Sequence, residues 1–143
     1  MRCRTTMRVW LLGIFLLVLF VSAGCSTDPK ETTKTSVEEN TYRQISMKEA
    51  EEMMVIENNY VILDVRTLQE YNEGHIPGAI CIPNETIGSE EIPQLPDKDQ
   101  LILVYCRSGN RSKQASQKLV QLGYTNVVEF GGILDWTGEV EIG

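Results

Sequence analysis

Positive charge is scarce in this sequence. Its 143 residues carry 13 Lys and Arg against 20 Asp and Glu, a formal net charge of −7. Three of those arginines, Arg2, Arg4 and Arg8, stand ahead of Val9; without them the balance is 10 basic to 20 acidic residues. Sequence-independent nucleic-acid binding runs on Lys and Arg against phosphate, so nucleic acid is excluded as a partner. Any anion site must build its own local positive potential. Histidine is nearly absent as well: His75 is the only imidazole that could serve as a general base. No uncharged apolar run reaches the ~20 residues of a membrane-spanning helix. Internal repeats are lacking, and the length suits one domain.

Acidic residues are absent before Asp28. "MRCRTTMR" is positive, and the 13 residues Val9 to Val21 carry no charge. That order fits the charged and apolar regions of a signal peptide. "SAGC" follows. Ala23 and Gly24 before Cys25 resemble a bacterial lipobox, although Ser22 stands where that motif usually has Leu. The resemblance implies a signal peptide over 1–24, lipidation of Cys25 and a lipid-anchored flexible linker over 25–40. An uncleaved anchor and ordinary cleavage are the alternatives; each leaves the rest exported or membrane-tethered. Between Ser26 and Asn40 the only apolar residue besides proline is Val37. Such a stretch cannot bury a core and reads as a tether.

Periodic pattern starts near Thr41 and predicts one domain over 41–143. "YRQIS" is a short strand candidate. Ser46 with Glu49 three residues on makes a capping box for a helix whose Met47, Ala50, Met53 and Met54 share a face. "YVILDV", Tyr60 to Val65, is nearly all apolar, as in strands buried on both faces. "RTLQEYNEG" suits a short helix or turn, and "AICIP" a short strand. "LILVYC", Leu101 to Cys106, is the most apolar strand and is expected at the centre. "RSKQASQKLVQLG" has Ala115, Leu119, Val120 and Leu122 at helical spacing, with Gly123 as its C-terminal cap. "NVVEF" is a last strand and "GGILDW" a final turn. Alternating strands and helices predict an α/β domain with a mostly parallel sheet. The functional crevice of such sheets lies beyond the carboxyl ends of the strands, which is where Cys106 falls.

Cys106 is followed by Arg107, Ser108, Gly109, Asn110 and Arg111. The thiolate is the nucleophilic form of cysteine. Backbone N–H groups of this loop, the helix it opens and two fixed positive charges would all stabilise that anion. Gly109 allows the backbone angles a tight loop demands. Of the other cysteines, Cys3 lies in the signal segment. Cys81, between two isoleucines, reads as a buried small hydrophobe; a Cys81–Cys106 disulfide is its alternative in an exported protein.

Four segments resemble a rhodanese. They are "LDVR" (Leu63 to Arg66), "GHIPGAICIP" (Gly74 to Pro83), "CRSGNRS" (Cys106 to Ser112) and "GGILDW" (Gly131 to Trp136), in that family's order across one domain. The resemblance implies a three-layer α/β fold with a mostly parallel central sheet of about five strands flanked by helices. It implies a sulfurtransferase. Cys106 would take a sulfane sulfur from a small anionic donor such as thiosulfate and pass it from a persulfide to cyanide or a thiol. Residues 107–111 would bind the donor, with Arg111 and Arg107 orienting its charge. Asp64 and Arg66 would be chiefly structural, near the pocket. His75 would belong to a packed turn, and Trp136 reads as a packing residue. No metal or organic cofactor is needed, and a monomer is expected. A persulfide carrier serving a protein partner and a non-catalytic binding module are the alternatives. Cysteine-dependent phosphatases of similar fold use a C-x5-R loop. Here four residues separate Cys106 from Arg111, a smaller cradle that favours sulfur over phosphate.

Overall fold

The computed structural model of the chain describes residues 41–88 and 90–143. The expected signal, lipidation site and tether, with Cys3 and Cys25, lie outside the described residues. The elements are β1 (Arg43–Gln44), α1 (Met47–Ile56), β2 (Tyr60–Asp64), α2 (Leu68–Glu73), β3 (Ile80–Cys81), β4 (Leu101–Cys106), α3 (Asn110–Gln121) and β5 (Val127–Gly132). Single 3-10 turns lie at Asn84–Thr86 and Ile133–Asp135. The sheet runs β1-β5-β4-β2-β3, and every pairing is parallel. The parallel α/β expectation holds, and β4 is the central strand.

All six residues of β4 are buried, because each face of the sheet carries a core. Ile102, Val104 and Cys106 join Leu63, Val65, Ala115 and Leu119 on the α3 side. Leu101, Leu103 and Tyr105 join Ala50, Ile62 and Phe130 on the α1 side. Successive strand residues point to opposite faces, so Cys106 looks toward α3 and not α1. On α1 only Ala50 of the expected face is fully buried; Met47, Met53 and Met54 pack partly covered at the rim.

The caps are local chemistry. Ser46 Oγ accepts from the Glu49 N–H, and Glu49 Oε2 accepts from the Ser46 N–H at 2.8 Å. α2 has the same device: Thr67 caps it, and Glu70 answers at the Thr67 N–H. The T-x-x-E spacing is the sequence signal for that start. α3 closes on Gly123, whose N–H reaches the Val120 carbonyl while the Tyr124 N–H reaches Leu119, a Schellman ending.

Cys81 and Cys106 are both free thiols. Cys81 sits opposite Asp64, and Asp64 opposite Tyr105, so two strand spacings separate Cys81 from the end of β4. That is ~10 Å, too far for a disulfide, which needs Cα atoms within ~7 Å.

Candidate active site

β5 departs from regular pairing where it passes Cys106. Val104 lies opposite Glu129, but Cys106 lies opposite Gly132, so β5 holds one extra residue there. Such bulges bend a strand and re-aim the residues beyond them. This one sets Gly132 directly beneath the loop that leaves Cys106. A Cβ on Gly132 would overlap the Arg107 carbonyl and the Ser108 Cα. The loop rests on glycine because no side chain fits.

Above that floor the loop turns through Gly109, which has φ +96° and starts α3. A residue with a Cβ is strained there. The turn points the Gly109 N–H at Cys106 Sγ, 3.1 Å away. Burial pushes the Cys106 thiol up. The Ser112 hydroxyl and the N–H groups of Ser112, Ser108 and Gly109 outweigh it, so the net shift is downward, toward thiolate. Cys81 shows the contrast: burial, with the Asp64 charge nearby, holds its thiol up at about 11.

The two loop arginines are not equivalent. Arg111 places Nη1 and Nη2 each 2.7 Å from a Glu70 carboxylate oxygen. Its charge is already paired, and the pair ties the start of α3 to the cap of α2. Arg107 is exposed and lines a hollow of about 300 Å³ with Arg66, Glu70, Ile133 and Leu134. This hollow is at the carboxyl ends of the strands. A second hollow, lined by Asn59, Leu101 and Asn126, lies at their opposite ends, away from Cys106. Ser108 and Asn110 are exposed at the loop's rim.

Glu70 makes the clasp sensitive to acid. Arg111 chiefly, with Thr67, lowers its carboxyl from an ordinary 4.5 to about 2 against a smaller opposing effect of burial. A carboxyl depressed on folding contributes stability above its ordinary value, and the contribution is lost as pH falls through the folded value. The stability gap between the native protein and E70Q should therefore shrink as pH drops from about 4.5 to about 2. Urea titrations across that range check it. Glu70 is 24% exposed, so solvent screening keeps the gap modest.

Asp64 and Arg66 form a buried pair, 0% and 5% exposed. Arg66 Nη2 lies 2.6 Å from Asp64 Oδ2 and 2.7 Å from the Gly74 carbonyl. Arg66 thus holds the end of β2 to the segment after α2. His75 is stacked on Tyr71 at 3.7 Å, with Nδ1 3.0 Å from the Tyr71 carbonyl; it packs a turn. Trp136 is half-buried, and its indole N–H donates to the Glu139 carbonyl. Among the described residues, no group of three or more His, Cys, Asp or Glu side chains could hold a metal ion. Two residues outside the sequence-based expectations touch the site. Ser112, in the first turn of α3, helps lower the Cys106 thiol, and Glu129, buried in β5, accepts from the Ser112 hydroxyl at 2.6 Å. An acid inside the apolar run "VVEF" is the only sequence signal for the second.

A strand-end cysteine cradled by amides at a helix start can be compared with known proteins. The profile described as rhodanese-like domain matches residues 46–139. The chain belongs to the rhodanese-like family. Thiosulfate sulfurtransferase PspE of Escherichia coli is 38% identical over 73 residues, covering 51% of this chain and 70% of that protein. Thiosulfate sulfurtransferase GlpE of Coxiella burnetii is 36% identical over 96 residues, covering 66% and 87%. Other relatives are longer, and of one the chain spans 22%. A solved rhodanese with anions from E. coli is 36% identical with a TM-score of 0.54, covering 59% of this chain and 99% of that one. The five-stranded parallel sheet with its flanking helices is thus a rhodanese-like α/β fold, and these relatives associate the family with sulfur transfer.

Proposed function

We propose that this rhodanese-like protein is a sulfurtransferase that carries sulfane sulfur on Cys106. The single observation behind this reading is the Gly109 N–H, which points at the Cys106 sulfur from 3.1 Å in a loop that shifts the thiol toward thiolate in spite of burial. The thiolate attacks the outer sulfur of thiosulfate. A new S–S bond forms, the donor's S–S bond breaks, and sulfite leaves with the electron pair. Cyanide or a thiol then attacks the outer sulfur of the persulfide and returns Cys106 as thiolate. Covalent transfer in two steps predicts ping-pong kinetics.

Arg107 is the better partner for the donor's charge, since the guanidinium of Arg111 is held by Glu70. Cys106 is 1% exposed, which suits a small donor. We also infer that Cys25 anchors the domain on the extracytoplasmic side of a membrane, as a monomer.

Intact mass of the full chain in detergent, before and after thiosulfate, tests the activity. The expected result is a gain of one sulfur atom that cyanide removes and that C106S lacks. No gain in folded, reduced protein overturns the thiosulfate reading. Sulfur that leaves only to a protein thiol would make the chain a carrier. The same spectra test the anchor, which adds acyl mass at Cys25.

A further inference from the structure

Two charges beside the Cys106 loop have no partner. The hollow of about 300 Å³ there is lined by Arg66, Glu70, Glu73, Arg107, Ile133 and Leu134. Arg66 is spent on Asp64, and Glu70 on Arg111. Neither Glu73 nor Arg107 forms an ion pair among the described residues. Both are exposed. Gln69 Nε2 donates to Glu73 Oε1 at 3.0 Å, but a neutral amide leaves the charge of the carboxylate unbalanced. One hollow thus holds an unpaired carboxylate and an unpaired guanidinium. Ile133 and Leu134 add an apolar wall, and Leu134 is 65% exposed.

This hollow is built against both ends of the loop that carries the sulfur. Arg107 follows Cys106 directly and lines it. Arg111 closes the loop and is held by Glu70, another lining residue. The Leu134 N–H donates to the Arg107 carbonyl at 3.3 Å, which fixes the apolar wall to the same loop. Thiosulfate matches only part of this lining: it has negative charge for Arg107 and nothing for Glu73. Cyanide has no cation either. Opposite charges select a partner, and like charges reject the wrong one. A ligand with a carboxylate, an ammonium and a short aliphatic stem matches all of the lining.

We propose that the hollow is an acceptor subsite for a small zwitterionic thiol, with Arg107 on its carboxylate, Glu73 on its ammonium and Leu134 against its methylene, an assignment that rests on the persulfide reading of Cys106. Donor and acceptor occupy a two-step transferase in turn, so Arg107 serves both. The acceptor reacts as thiolate, its proton lost to water. It attacks the outer sulfur of the persulfide. A new S–S bond forms, the bond between the two persulfide sulfurs breaks, and Cys106 leaves as thiolate with the electron pair. The product is the acceptor's own persulfide.

Discharge of the sulfur-loaded full chain by four thiols tests this. They are zwitterionic cysteine, cationic cysteamine, anionic 3-mercaptopropionate and neutral 2-mercaptoethanol. Each rate is divided by that for 2-mercaptoethanol, and the ratios are compared among wild type, E73Q and R107Q, so the thiols' own reactivities cancel. Removing one exposed charge should change a ratio by about two- to fivefold. The cysteamine ratio should fall in E73Q, the 3-mercaptopropionate ratio in R107Q and the cysteine ratio in both. High salt should shrink all of these losses. Ratios that ignore E73Q overturn the proposal, and so does a cysteine ratio that falls in only one variant. Loading is read first by intact mass, so protein that never gains sulfur counts against the persulfide reading instead. The charge pair is then read from mixed-disulfide formation at Cys106, located by peptide mass, with cystine, cystamine and 2-hydroxyethyl disulfide. There too, ratios that are the same in all three proteins overturn it.

Discussion

Replacing Gly132 with alanine is expected to abolish sulfur loading at Cys106 and to destabilise the domain. Gly132 is buried and lies in register with Cys106 across β4 and β5. An added methyl would overlap the Arg107 carbonyl and the Ser108 Cα. These are backbone atoms, so no side chain can swing aside. The strand or the loop must shift, and the loop carries the Gly109 amide that faces the sulfur. Displacing a catalytic group by about 1 Å costs roughly 100-fold in rate, and overpacking a filled site costs about 1–3 kcal/mol. Thiosulfate loading followed by intact mass, with a thermal melt alongside, checks both. Gly123→Ala is the control. Gly123 has φ +89° and open space around it, at the far end of α3 from the loop, so it should lose stability and keep loading. Equal loading by native protein and G132A would mean that the loop does not rest on Gly132.

The second large effect is on stability alone. Asp64→Ala leaves the Arg66 guanidinium buried with only the Gly74 carbonyl and the Tyr105 ring for company. Removing one partner of a buried ion pair costs about 3–5 kcal/mol. At about 4–8 °C per kcal/mol for a domain of this size, the midpoint should fall by about 12 °C or more. Converting both residues together, as in D64L/R66M, should recover much of the loss, since no orphaned charge remains. Urea unfolding of the single and double variants measures this. A single variant within about 1 kcal/mol of wild type, against the ~3 kcal/mol or more expected, would show that Arg66 finds water or another partner.

Local signals in the chain were enough for a good part of the fold. Ser46 and Glu49 mark a helix start because their side chains close on backbone groups three residues away. "LILVYC" reads as the central strand because only burial on both faces permits six consecutive apolar residues. The position of Cys106 at the strand's end, with Gly109 after it, follows from the same reasoning. Where the loop's charges go does not. Arg107 and Arg111 look alike in sequence, yet one is exposed and the other is held by Glu70, 41 residues away. The contact between Glu129 and Ser112 was equally opaque, because it joins β5 to α3 across 17 residues of chain.

Neighbouring residues thus settled among themselves the periodicity, the caps and a strand-end cysteine leading into a helix, and all of these can be read along the chain. Packing in three dimensions settled which charges are spent and which are free. It set Gly132 under the loop through one extra residue in β5, and it buried the Glu129 carboxyl against Ser112. These depend on strand register and helix packing, which join residues far apart along the chain and leave no periodic trace in it.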